Sequence, residues 1–152
     1  MDRFSKFTVL MNRIVRNIHR IKGDEMSRFG LKGTHVSCLY YLYRAEKPLT
    51  ASELTIICDE DKAAISRAVD YLSREGYVTC EGTALKKYRS PVLLTEKGAE
   101  VSKAVAGRVD SVLAAASEGL GEEDRNIFYR CLDLISENLQ KICDGKGEKS
   151  VG

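Results

Sequence analysis

Apolar residues recur along this chain at helical spacing almost from its start. Phe7, Met11, Ile14, Ile18 and Ile21 follow one another in alternating steps of four and three, and Val15 widens the stripe. Arg13, Arg16 and Arg20 fall away from it, so the pattern predicts an amphipathic helix over residues 4–26. A second helix over 33–45 carries Val36, Leu39, Tyr40, Leu42 and Tyr43 and stops before Lys47-Pro48, because proline turns its predecessor away from helical geometry. Residues 50–77 then read as two short helices joined by a tight turn. Thr50 and Glu53 have capping-box spacing, Leu54, Ile57 and Cys58 point inward, and the acidic run from Asp59 to Asp61 ends the first helix. In the second, Ile65, Ala68, Val69 and Leu72 face the core while Lys62, Ala63, Ser66, Arg67 and Asp70 lie opposite, until Gly76 closes it.

Beyond Gly76 the pattern changes. Residues 77–81 and 91–95 are β-prone runs separated by a polar segment that contains Gly82, Lys86, Lys87 and Arg89, which predicts a hairpin. Thr95 is placed to cap a further helix over 96–118 that carries Val101, Val105, Val109, Val112 and Ala116. Gly119-Leu-Gly121 breaks it. A last helix over 122–143 aligns Phe128, Cys131, Leu132, Ile135, Leu139 and Ile142, with Glu122, Glu123 and Asp124 at the positive end of its dipole. Residues 146–152 are expected to form a disordered tail. The fold class that follows is mainly α with a small β-hairpin.

The outer face of the second short helix suits a DNA groove. Lys62 and Arg67 have the reach for phosphates or guanine edges, and Ser66 donates or accepts. Ala63 keeps the helix slim and offers a methyl to thymine.

Two stretches make the reading more specific: Asp61-Lys-Ala-Ala-Ile-Ser-Arg-Ala-Val-Asp-Tyr-Leu-Ser-Arg-Glu-Gly-Tyr-Val78 and Leu94-Thr-Glu-Lys-Gly98. In the order helix, turn, helix, Gly, strand, basic tip, strand, the chain resembles the MarR family of winged helix-turn-helix transcription regulators over nearly its whole length. The resemblance implies a recognition helix over 61–75 and a wing tip holding Lys86, Lys87 and Arg89. It implies dimerisation helices at 1–30 and 96–145 around a DNA-binding region at 31–95, all in one structural domain. It also implies a homodimeric repressor on a near-palindromic operator in double-stranded DNA. A small aromatic or anionic effector would lie between the dimerisation helices and the DNA-binding lobe, drawing on Ile14, Ile18, Tyr40 and Tyr43. The chain departs from the family pattern at Asp59 and Glu60 in the turn. In the wing, Lys86-Lys-Tyr-Arg-Ser90 replaces the usual Asp-x-Arg.

Composition narrows the alternatives. The 152 residues, 43% hydrophobic and 30% charged, suffice for one compact domain. The longest apolar run, residues 38–43, is far too short to cross a bilayer, and no secretory apolar region follows the start, so a soluble cytoplasmic protein is expected. Net charge is only +2, but residues 1–30 hold seven Lys or Arg against three acids. A local basic face matters more for phosphate binding than the total. Cys38, Cys58, Cys80, Cys131 and Cys143 form no Cys-x-x-Cys pair, and their odd number argues against a disulfide framework. Cys38, Cys58 and Cys131 read as small buried hydrophobes; Cys80, in the first wing strand, is the accessible one, with nothing near in sequence to favour a thiolate. Enzyme motifs are missing: no phosphate loop, no Gly-x-Ser-x-Gly and no His-Glu-x-x-His. His35 reads as a packing or capping residue, and His19 with His35 and one acid is the conceivable metal cluster, so neither metal nor cofactor is expected. The acids Glu60, Asp61, Asp70 and Glu81 around the motif keep a second reading open, a winged-helix protein-interaction module that does not bind DNA.

Overall fold

The computed structural model describes residues 1–81 and 89–145. The wing-tip residues Lys86 and Lys87 and the expected tail at 146–152 lie outside them. Among the described residues, eight helices and strands begin within a first compact unit, Met1–Leu113, and a second unit spans Ala114–Gly152.

In the first unit, helix α1 (Arg3–Ser27) starts at Asp2, whose carboxylate accepts from the Phe4 and Ser5 amides at 2.9 and 3.0 Å. Helix α2 (Thr34–Arg44) follows Gly33, which adopts a positive φ of 59°. Strand β1 (Leu49–Thr50) leads straight into α3 (Ala51–Ile57) through a reciprocal cap. The Glu53 amide donates to Thr50 Oγ1 at 3.1 Å, and the Thr50 amide donates to Glu53 Oε2 at 2.8 Å.

Helix α4 (Lys62–Arg74) begins at Asp61, whose Oδ1 accepts from the Ala64 amide at 2.7 Å. Strands β2 (Val78–Cys80) and β3 (Pro91–Leu94) pair antiparallel, with Val78 opposite Leu94. Helix α5 (Glu96–Ala116) then leaves the sheet.

Helices α3 and α4 end in the same way. After α3 the Glu60 amide reaches the Thr55 carbonyl at 3.2 Å and the Asp59 amide reaches that of Ile56 at 3.3 Å. After α4 the Tyr77 amide reaches Leu72 at 2.8 Å and the Gly76 amide reaches Ser73 at 3.2 Å. Both are left-handed caps that satisfy the last carbonyls. Gly76 takes the required φ of 79°, and Asp59 takes 52° with a side chain. Aspartate tolerates this region because its short carboxylate makes local hydrogen bonds. The departure from family pattern at position 59 therefore sits at the one strained backbone position of the turn.

The core joins the elements that place α4. Leu39 of α2, Leu54 of α3, Ile65 and Leu72 of α4, Val78, Val92 and Val105 are all buried in one cluster. The expected inward set of α4 is buried as anticipated. Three expectations need correction. Ile57 is 43% exposed, because the seven-residue α3 turns only Ala51 and Leu54 fully inward before the chain reverses. Cys131 is exposed rather than buried. The sheet has three strands in the order β1-β3-β2, since Leu49 pairs with Val92 and Thr50 with Pro91. A two-residue strand carries no periodicity, and its partner lies some forty residues on.

In the second unit, Gly119 turns the chain with φ 90° and helix α6 (Glu122–Cys143) follows. Its start and end match the expected 122–143. Apart from half-buried Leu132, all of its residues are exposed, Phe128, Ile135, Leu139 and Ile142 included.

Candidate nucleic-acid interface

Helix α4 offers a continuous outer face. Lys62, Ala63, Ser66 and Arg67 are all exposed on it, while Ile65, Ala68, Val69 and Leu72 anchor the opposite side. The helix is fixed at both ends, by the Asp61 cap at its start and the left-handed cap at Gly76, so its side chains project from a rigid element. Arg89 is exposed in the turn that leads into β3.

Beside Arg67 the surface forms an open cleft of about 680 Å3, lined by His35, Arg67, Asp70, Tyr71, Ser73 and Arg74. The His35 ring stacks on Tyr71 with centroids 4.2 Å apart and planes at 15°. Burial, with the Lys32 charge second, holds His35 below its ordinary pKa, and its Nδ1 is buried with no hydrogen-bond partner among the described residues. The expected packing role of His35 is the one it takes. The ring couples the start of α2 to the exposed face of α4, and the Thr34 hydroxyl adds a 3.4 Å hydrogen bond to Glu60.

The base of the wing is tied to α4 through α5. The Thr95 hydroxyl donates to the Gly76 carbonyl at 2.6 Å and accepts from the Gly98 amide at 3.1 Å, so Thr95 caps α5 as expected. Lys97 donates to the Glu75 carbonyl at 2.8 Å, with its ammonium 4.2 Å from the centre of the Tyr77 ring. The Leu94-Thr-Glu-Lys-Gly98 stretch is thus the joint that sets the wing strands against the end of α4.

The residues expected around an effector are arranged less uniformly. Ile14 is 45% exposed, and Ile18, Tyr40 and Tyr43 are half-buried. Tyr40 is already engaged: the Lys22 ammonium lies 3.9 Å from its ring centre and the Arg44 guanidinium 5.5 Å from it. Arg44 in turn pairs with Asp110 and donates to the Ala106 carbonyl at 3.3 Å, joining α2 to α5. Lys22 escaped the sequence reading, although it stands four residues after Ile18 on the apolar side of α1. It is only 3% exposed, it lies 4.8 Å from the Tyr41 ring, and desolvation lowers its pKa. It borders a small cavity of about 160 Å3, with His19, Val36, Ser37, Cys58 and Glu60 among the other walls. None of the four expected effector residues lines that cavity.

Among the described residues no three His, Cys, Asp or Glu side chains converge to hold a metal, and no helix is long and apolar enough to cross a membrane.

Comparison with known proteins agrees with this geometry. The family model described as the MarR family matches residues 29–84, the span that contains α2, α3, α4 and β2. A MarR-family transcriptional regulator from Silicibacter pomeroyi is similar at 25% identity over 83% of this chain and 84% of its own, with a TM-score of 0.70. A MarR transcriptional regulator from Methanosarcina mazei shares the fold at 22% identity, covering 93% of this chain and 94% of its own at a TM-score of 0.75. A Staphylococcus aureus MarR in complex with salicylate and kanamycin shares it at 18% identity, covering 90% and 92% at a TM-score of 0.74. Among curated proteins none matches this chain by sequence.

Proposed function

From the membership of this chain in the MarR family of winged helix-turn-helix proteins, we propose that it is a sequence-specific DNA-binding transcription regulator, a homodimeric repressor released by a small aromatic or anionic effector. The observation that carries the reading is the outer face of α4, where Lys62, Ala63, Ser66 and Arg67 stand exposed on a helix capped at both ends. In this reading α4 enters the major groove, with Arg67 and Lys62 contacting guanine edges or phosphates. Lys86, Lys87 and Arg89 follow the flanking backbone or minor groove.

Dimerisation is supported by the uncovered apolar residues of α1 and α6, which a second copy would bury. Residues 1–30 and 96–145 are then dimerisation segments around the DNA-binding region 31–95. Two copies related by a two-fold axis require a near-palindromic operator. The effector reading draws on the Staphylococcus aureus MarR, whose complex includes the aromatic anion salicylate. Ile14, Ile18, Tyr40 and Tyr43 are the residues assigned to it here.

The test is recovery of bound duplex from a random pool. Enrichment of a palindrome with half-sites about one helical turn apart supports the reading. The acids Glu60, Asp61, Asp70 and Glu81 favour a protein-interaction module instead, although Asp61 is committed to its helix cap. A protein that shows no enrichment, and whose weak binding to random duplex is insensitive to salt, is that module.

A further inference from the structure

The small cavity beside Lys22 holds two opposite charges that do not meet. Lys22 of α1 is buried, and its ammonium rests on the Tyr40 and Tyr41 rings, 3.9 and 4.8 Å from their centres. Glu60, in the turn between α3 and α4, lines the same 160 Å3 space. Among the described residues no carboxylate pairs with Lys22, and the Glu60 side chain accepts one 3.4 Å hydrogen bond from the Thr34 hydroxyl outside the capping interactions. A buried ammonium without a counter-charge is costly, and ring faces replace only part of its lost hydration. The two charges also lie at different depths. Lys22 and Val36 are buried, Ser37 and Cys58 are half-buried, and His19 and Glu60 are exposed. The cation is therefore at the closed end and the carboxylate at the open one.

We propose that this cavity binds a small amino acid as its zwitterion, with the carboxylate against Lys22 and the ammonium toward Glu60. A simple anion would satisfy Lys22 but meet the Glu60 carboxylate, and a simple cation would meet the Lys22 ammonium. A ligand that carries both charges in this order is attracted at each end and brings no net charge into the cavity. Ser37 offers a hydroxyl that donates to the ligand carboxylate. The ligand ammonium stays near solvent beside Glu60, so only the carboxylate is fully desolvated, and Lys22 is the charge that matches it. A cavity of about 150 Å3 accommodates a benzene-sized molecule. The space here thus takes an amino acid of the size of glycine, β-alanine or γ-aminobutyrate and has no room for a long side chain.

This site is separate from the effector residues assigned above. None of Ile14, Ile18, Tyr40 and Tyr43 lines it, and its ligand is an aliphatic zwitterion rather than an aromatic anion. Its walls come from α1, from α2, and from the end of α3 with the turn that follows. An occupant would bridge these three elements just ahead of the Asp61 cap of α4. The binding stands whether or not α4 reads DNA.

The test is calorimetric titration of the full chain, without DNA, with glycine, β-alanine and γ-aminobutyrate, which differ in the separation of their charges. Acetate and methylammonium, with a single charge each, are the controls. At least one of the amino acids should bind, one molecule per chain, about tenfold more tightly than either control. Glu60→Gln, at an exposed position, should remove the preference for that amino acid over acetate. Lys22→Met, which keeps an apolar stem on the tyrosine rings, should abolish binding of both. Acetate or methylammonium binding as tightly as the amino acids overturns the proposal. So does a preference that Glu60→Gln leaves unchanged, or no binding of any amino acid at millimolar concentration. The wild-type and Glu60→Gln titrations decide the matter if Lys22→Met fails to fold.

Discussion

A β-carbon at Gly98 would lie 2.0 Å from the carbonyl oxygen of Tyr77. The first turn of α5 therefore passes against the backbone at the base of β2, closer than any side chain permits, and the Thr95 amide donates to that same carbonyl at 3.0 Å. Gly98→Ala should destabilise the fold by about 1–3 kcal/mol, as overpacking against immovable backbone does. Gly107, in the same helix with nothing within 4 Å of its would-be β-carbon, is the control. There alanine should stabilise by roughly 0.5–1 kcal/mol. Urea midpoints of the two variants check both signs, and equal effects would mean that the close approach does not exist.

Arg67 stands on the exposed face of α4 beside the cleft formed with His35 and Tyr71. Arg67→Ala should weaken operator binding by roughly 1–3 kcal/mol and relax the preference at one base pair of each half-site. A titration against operators varied one position at a time measures this. Unchanged affinity would remove α4 as the reading element.

Replacing Lys86 and Lys87 by alanine should weaken specific and random duplex by similar factors and flatten the dependence on salt, since phosphate contacts carry affinity without sequence information. Arg89→Ala should cost more on operators with A/T-rich flanks, where a narrow minor groove favours a guanidinium, than on G/C-rich ones. Equal losses on both flank types would make Arg89 a phosphate contact, and no loss on either would place the wing off the DNA.

The chain has a mass of 16.9 kDa and should run as a particle of twice that by light scattering at micromolar concentration. Ile18→Glu in α1 should weaken the dimer, and so should Leu139→Glu in α6, where Leu139 is 53% exposed in the single chain. A wild-type mass of one chain would remove the two-fold operator model.

His35 should make stability depend on pH in a defined direction. Its folded pKa lies below 6.5, so the unfolded chain takes up the proton first. The stabilisation is complete above pH 6.5 and is lost as pH falls through the folded value. Urea midpoints between pH 7.5 and 5 should fall more for the wild type than for His35→Phe, which keeps a ring against Tyr71. Parallel curves would mean that His35 titrates alike in both states.

Local chemistry made the helices legible. Capping spacing at Thr50 and Glu53, the glycine after α4, and the apolar repeats of α1 and α5 are short-range signals, and each element they mark is present in the structure. The outer face of α4 was legible for the same reason: once Ile65, Val69 and Leu72 are assigned inward, helical geometry leaves Lys62, Ala63, Ser66 and Arg67 outside. Long-range packing decided the rest. Strand β1 exists because Leu49 meets Val92, which no window around residue 49 contains. Ile57 follows the apolar pattern yet stays exposed, because α3 ends before a further turn could bury it. Lys22 was hidden more deeply. Taken singly it looks ordinary, and only the packing of α1, α2 and the end of α3 places its buried ammonium beside the Tyr40 and Tyr41 rings and at one small cavity with Cys58.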